Sequence, residues 1–231
     1  VPPPARSGPE RCSNDGQPIG SSRGMASKLA DGLLPGADEV LFLPLGGTGE
    51  IGMNLSLYGH DGQWLIVDTG ITFGNDAFPQ YDVMMADTAF IEAQLPRLAG
   101  IVLTHAHEDH LGALPYLWPR LRCPVFATPF TAALARIKLN RVGLEDVPLH
   151  QVEIGQDFSV GGFRVETLAM THSIPEPNAL LVKTKIGTVL HTTADGFGGT
   201  RSPMQVGAEL YGHGDIESDV EVLLLMLATL E

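Results

Sequence analysis

Ile101-Val102-Leu103-Thr104-His105-Ala106-His107-Glu108-Asp109-His110 is the stretch on which the reading of this chain turns. An apolar run leads straight into three imidazoles and two carboxylates within six residues. If residues 101–104 form a buried strand, His105 and His107 continue its period of two and point the same way, so that they can hold one metal. Asp109 and His110 lie past the strand end, where the chain turns into the helix-like stretch Leu111 to Leu117, and they aim at a different spot. Ions in two-metal hydrolases sit about 3.5–4 Å apart, which makes that spot a second candidate site. Imidazole and carboxylate donors without thiolate suit zinc, manganese or iron at a hydrolytic centre rather than a structural zinc knot. A solvated polar loop is the competing account, but it has no need of alternate-residue spacing at a strand terminus.

Outward from this stretch the pattern is α/β. Val40 to Leu45 reads as a buried strand, Gly46-Gly47-Thr48-Gly49 as a tight turn, and 54–58 with 64–67 as two strands joined at Gly59-His60-Asp61-Gly62. Asp68-Thr69-Gly70 follows the third strand and places a carboxylate on what would be the same rim as the histidines. The Gly46 to Gly52 loop invites a phosphate-binding reading, but it lacks the Lys-Ser/Thr ending of a P-loop and opens no clear helix. Ala86 to Leu98 predicts an amphipathic helix ending near Pro96, Leu111 to Trp118 a short helix closed by Pro119, and Pro124 to Ala127 a strand. Thr128-Pro129 opens a helix to about Asn140, with proline in its first turn. After Asp146 strands return at 150–154, 158–160, 163–168, 179–184 and 188–192.

The chain has 231 residues, 44% hydrophobic and 18% charged, an ordinary globular balance for one domain or one plus a fragment. We expect a disordered leader over residues 1–36, rich in Pro, Gly and Ser, and a single domain over 37–231. Met25 is a candidate natural start. A net charge of −13 opposes non-specific binding to nucleic acid without excluding a local basic face, and Arg120, Arg122, Arg136, Lys138 and Arg141 form the one markedly basic region. Cys12 and Cys123 imply no disulfide framework, so a reducing cytoplasm is the expected location. The N-terminus lacks the apolar core of a signal peptide, and the run 220–230 is too short to span a bilayer. No membrane partner is expected.

Two isolated residues also enter. His172, in Met170-Thr171-His172-Ser173-Ile174-Pro175, and Asp195, in Thr193-Ala194-Asp195-Gly196, each follow a strand. On spacing alone a loop His is more often solvated and an Asp before Gly more often a turn residue. However, catalytic zinc takes about three protein ligands plus water, and His105, His107, Asp109 and His110 cannot fill two such sites. A third His and a bridging carboxylate would complete the set.

His-x-His-x-Asp-His after a strand and an Asp-Thr-Gly, with a later His and a later Asp, resembles the metallo-β-lactamase fold of hydrolases. More narrowly, residues 45–54 (Leu-Gly-Gly-Thr-Gly-Glu-Ile-Gly-Met-Asn), 103–113 and 171–175 together resemble ribonuclease J, of the β-CASP branch, over about two thirds of the chain. The resemblance implies a metallo-β-lactamase-like αββα sandwich, here incomplete, lacking the β-CASP insertion and the C-terminal return. It implies that His105, His107 and His172 hold one zinc, that Asp109 and His110 hold another, and that Asp195 bridges the two. Manganese or magnesium are the alternative ions. Asp68 would orient the ligand loop, and Asp109 would also orient the attacking hydroxide, giving these two carboxylates the catalytic roles. The implied substrate is RNA, cut internally and from the 5′ end. The chain departs from the family pattern at Glu176, where Asp is usual, and at Ala194-Asp195-Gly196-Phe197.

Two other readings stand beside the ribonuclease. One is a small-molecule hydrolase of the same fold acting on a thioester, lactone or β-lactam, since fold does not fix substrate. The other is a non-catalytic metal-binding fragment, self-associating through the apolar strand expected at 220–227.

Overall fold

The structure, a computed structural model, describes residues 33–49, 51–74 and 80–192. Most of the expected leader, including Cys12 and Met25, lies outside them, as do Asp195 and the strand expected at 220–227. The last residues assigned to the leader are in fact packed: Leu33 sits against the core, and Pro35 and Gly36 accept hydrogen bonds from the amides of Gly62 and Asp61.

Six strands form the larger sheet: β1 (Leu41–Gly46), β2 (Leu55–His60), β3 (Gln63–Val67), β6 (Leu98–Val102), β7 (Val125–Ala127) and β8 (Leu149–Gln151), side by side in that order. The β1-β2-β3 meander is antiparallel, and β3, β6, β7 and β8 run parallel. A second, antiparallel sheet takes the order β12-β11-β10-β9, from β9 (Asp157–Val160), β10 (Phe163–Ala169), β11 (Asn178–Lys183) and β12 (Thr188–His191). A two-stranded ribbon pairs β4 (Ile71–Phe73) with β5 (Val83–Met85), neither of which the sequence patterning exposed.

Alternation along the central strands explains the layering. Leu55, Leu57, Trp64, Ile66, Ile101 and Leu103 join one core with the helices α1 (Ala89–Glu92), α3 (Leu114–Leu121) and α4 (Pro129–Arg141). The intervening Tyr58, Leu65, Val67 and Val102 join a second core with Val160, Phe163, Val165, Leu180 and Val182 of the other sheet. Residues of alternate parity thus face helices on one side and a sheet on the other. The result among the described residues is a helix-sheet-sheet stack of the α/β class expected. Each fully buried aliphatic side chain contributes about 1.5–3 kcal/mol, so these two cores carry the fold. No helix among the described residues is long and apolar enough to cross a membrane.

Several boundaries differ from expectation. The helix expected over 86–98 is only α1 and a 3-10 turn at Leu95–Arg97, because Pro96 disfavours helical backbone before it and the Gln94 side chain accepts from the Trp64 indole instead of facing solvent. Pro119 does not close the helix expected at 111–118. The segment is split into α2 (Glu108–Leu111) and α3, and α3 runs through Pro119 because burial of Trp118 and Leu121 favours its continuation. It ends on left-handed Arg122, whose guanidinium lies over the Trp118 ring. Strand β1 is half-buried rather than buried, being an edge strand, where Pro44 can lack an amide donor. The first of the later strands covers only Leu149–Gln151.

Cys123 is buried in the first core, and burial pushes its thiol up to about 12. The expected result is that iodoacetamide leaves Cys123 unmodified in the native chain and labels it on denaturation, as read by peptide mass. Labelling of the native chain at a free-thiol rate would contradict this packing.

Candidate metal centre

The ligand-bearing turn is sewn onto the ends of β2 and β3 by main-chain bonds. Asn54 N–H donates to Asp109 O, Thr69 N–H to His110 O, and Ala113 N–H to Thr69 O, at 3.0, 2.7 and 2.8 Å. Gly70 makes this approach feasible: a Cβ there would meet Asp109 O at 1.6 Å and Asn54 N at 2.7 Å. Strand β6 ends at Val102, so His105 and His107 stand on a loop rather than on an extended strand as the spacing suggested. The physical reason is that Leu103 makes the last ladder bond, to Phe126 O, and the Thr104 amide then turns to the Asp68 carboxylate, taking the chain out of the ladder.

The loop nevertheless brings the two imidazoles together and adds His172. His105 Nε2 lies 3.2 Å from His107 Nδ1, and His172 Nε2 lies 3.0 Å from the same atom. The donor atoms of the three residues all fall within 4.8 Å of one another. Zinc–nitrogen bonds of about 2.0–2.1 Å in a tetrahedral arrangement place donors about 3.3 Å apart, so this trio fits one shared cation. His105 is almost fully buried, while His107 and His172 are half-buried and open the site to one side.

Asp68 organises what lies beneath. Burial by itself would raise its pKa, but the His110 charge and hydrogen bond hold the carboxyl below its usual value. Ionised, it is acceptor-only. It takes the Thr104 amide at 2.8 Å, the Thr104 hydroxyl at 2.9 and 3.0 Å, and His110 Nδ1–H at 2.7 Å. With its hydroxyl proton given to Asp68, Thr104 Oγ1 can accept from His105 Nδ1, 3.0 Å away. One carboxylate therefore selects two tautomers and leaves Nε2 of both His105 and His110 for a ligand. Burial, followed by the neighbouring His110 charge, pushes His105 down to about 3, so its imidazole is neutral at pH 7.

Asp109 and His110 make a neighbouring corner. His110 Nε2 lies 3.4 Å from Asp109 Oδ2, and its ring centroid is 4.0 Å from that of His105. The Asn54 side-chain amide donates to Asp109 O at 2.9 Å and lies 3.3 Å from Asp109 Oδ2 and 3.2 Å from His110 Nε2. Burial opposes a charge on His110, yet the Asp68 and Asp109 carboxylates raise it to about 9. Asp109 falls to about 2 despite burial, through the hydrogen bond to and charge of His110. This corner favours a positive charge next to Nε2, as a proton or a cation. Among the described residues it offers two donors, whereas the first corner offers three. Asp195 lies outside the described residues.

Sequence reasoning gave no role to Asn54, Thr104 or Asn178. The signal available for Asn54 was an amide opening an otherwise apolar buried strand. Asn178, whose main-chain and side-chain amides both donate to Thr104 O, opens β11 in the same way.

Comparison with known proteins supplies the relationship. Ribonuclease J of Sinorhizobium meliloti is 47% identical over 160 residues, 67% of this chain and 28% of the relative. The Helicobacter pylori ribonuclease J is 37% identical over 67% of the chain and 23% of its own length, and that of Thermus thermophilus 34% over 67% and 28%. The chain is ribonuclease J-like. It spans about a quarter of the length of these ribonuclease J relatives. A solved structure, a diphosphatase from the PhnP family, aligns at 18% identity and a TM-score of 0.44, covering 62% of each chain; at that score the likeness is loose. A family model described as histidyl-tRNA synthetase matches residues 171–231, well short of half the chain, and its described part, 171–192, is continuous with the second sheet of the ribonuclease J-like fold.

Proposed function

We propose that the chain carries the metal-binding part of a hydrolase that cleaves RNA phosphodiesters. The carrying observation is the convergence of His105, His107 and His172, with Asp68 setting the tautomer of His105 through Thr104. The name shared by the relatives supports RNA as substrate. In this reading His105, His107 and His172 hold one zinc, Asp109 and His110 hold a second ion, and Asp195 joins them. Bound there, the ions would act as Lewis acids and bring the pKa of water to about 7. The chain's own groups do the positioning. Asn54 steers Oδ2 of Asp109, which leaves Oδ1 to accept a proton from an attacking water, and Asp109 is fully ionised at neutral pH to do so.

Zinc titration of the purified chain against a chromogenic chelator tests the reading. One ion held tightly and a second more weakly is expected, because the first corner has three donors on the described chain and the second has two. His172→Ala should lose the tight ion. Retention of that ion in His172→Ala would refute the trio. A parallel assay of 5′-phosphorylated RNA against a β-lactam and a thioester decides substrate class, with slow zinc-dependent turnover of RNA expected and turnover confined to the small molecules overturning it.

A further inference from the structure

We propose that Glu176 is a positioning residue for His172, fastening the loop that carries this ligand to the first turn of α4; the inference rests on the metal reading above. Helix α4 has no local cap. Thr128, at its N-cap position, makes no side-chain bond to the helix backbone, and its hydroxyl goes to Thr131 Oγ1. Pro129 has no amide proton, so Phe130 N–H is the first free donor of the helix. Glu176 Oε2 accepts from it at 2.7 Å across 46 residues of sequence. The bond is charge-assisted and lies at the positive end of the helix dipole.

The connection bears on His172 because the loop is short and closed. Met170 N–H donates to Pro177 O at 3.1 Å, and Asn178 bonds Thr104 O next to His105. Glu176 supplies the fastening on the far side. It holds a left-handed φ of 55°, a region that few non-glycine residues occupy. Reach and an acceptor oxygen act together: methionine matches the length of glutamate but carries no oxygen to accept the Phe130 amide proton, and alanine offers neither. Glutamine keeps both reach and an acceptor oxygen.

Zinc affinity is measured on the full chain for the parent, Glu176→Ala, Glu176→Met and Glu176→Gln, alongside the thermal midpoint of each metal-free protein. About tenfold weaker zinc binding at the tight site is expected for Ala and Met, the range typical for partners that orient ligands. Gln should stay close to the parent. A purely structural cap would lower the midpoint and leave zinc affinity alone, and that pattern overturns the proposal, as does equal loss in Gln and Ala. Should the alanine variant fail to fold, the contrast between the methionine and glutamine variants decides the matter in its place. A parent chain that binds no zinc refutes the metal reading itself, a result separate from any difference among the variants.

Discussion

In the Asp68→Asn variant the chain is expected to fold yet bind metal at the Asp109–His110 corner about 10–100-fold more weakly. Oδ1 of the amide would still accept from the Thr104 main chain, where the carboxylate now takes that amide at 2.8 Å. The amide nitrogen would then face His110 Nδ1, 2.7 Å from the present Oδ2. A donor there forces His110 to carry its proton on Nε2, the nitrogen turned toward Asp109, so the imidazole loses the lone pair a cation needs. Asp68→Ala goes further: the Thr104 amide and hydroxyl and His110 Nδ1 all lose their acceptor in a site that is 1% exposed at Asp68. Leaving one member of a buried charged pair alone costs about 3–5 kcal/mol, and urea unfolding should show that loss. Unchanged metal stoichiometry and affinity in Asp68→Asn would refute the tautomer assignment.

Gly70→Ala should be the most damaging glycine-to-alanine change among the described residues. Its Cβ would fall 1.6 Å from Asp109 O and 2.2 Å from Asp109 C, both main-chain atoms that cannot rotate away. Relief requires α2 to lift from the ends of β2 and β3, breaking the Asn54-to-Asp109 and Thr69-to-His110 bonds. Destabilisation beyond about 3 kcal/mol, the upper range for ordinary overpacking, is expected together with loss of the tight zinc site. By contrast Gly143→Ala meets no atom within 4 Å and carries only the cost of a left-handed φ of 75°. It serves as the control. Equal denaturation midpoints for the two variants would show that the close approach at Gly70 is not what holds the ligand turn.

The sequence was legible where periodicity and donor chemistry spoke together. His105 and His107 could be singled out because alternate imidazoles after an apolar run have few other uses, His172 only because the first cluster leaves a ligand deficit, and α4 because Pro129 marks its first turn. The α/β layering followed from the apolar runs of β2, β3 and β6. What stayed hidden depended on tertiary partners. Strands β4 and β5 are three residues each and show no alternation, so only their mutual pairing makes them strands. The helix expected at 86–98 shrank because Gln94 found Trp64, a residue 30 positions earlier. Asp68 could be placed on the rim, but its bonds to Thr104 and His110 depend on the parallel pairing of β3 with β6, which no local pattern encodes.

The stitching of the ligand turn to the sheet also sets where this chain can change length. Turns such as those at Gly143 and Gly187 face open space and are closed only by local main-chain bonds, so an added residue there would be absorbed by local rearrangement. Between Val67 and Ala113 an insertion within the stitched segments 67–70 or 102–113 has no such outlet, because the amides of Asp68, Thr69 and Ala113 each answer to a fixed carbonyl across the gap. A one-residue slip would shift His105, His107 and His110 relative to Asp68 and His172, so drift in this lineage should accumulate as loop-length variation at the far turns while the spacing from 102 to 113 stays frozen.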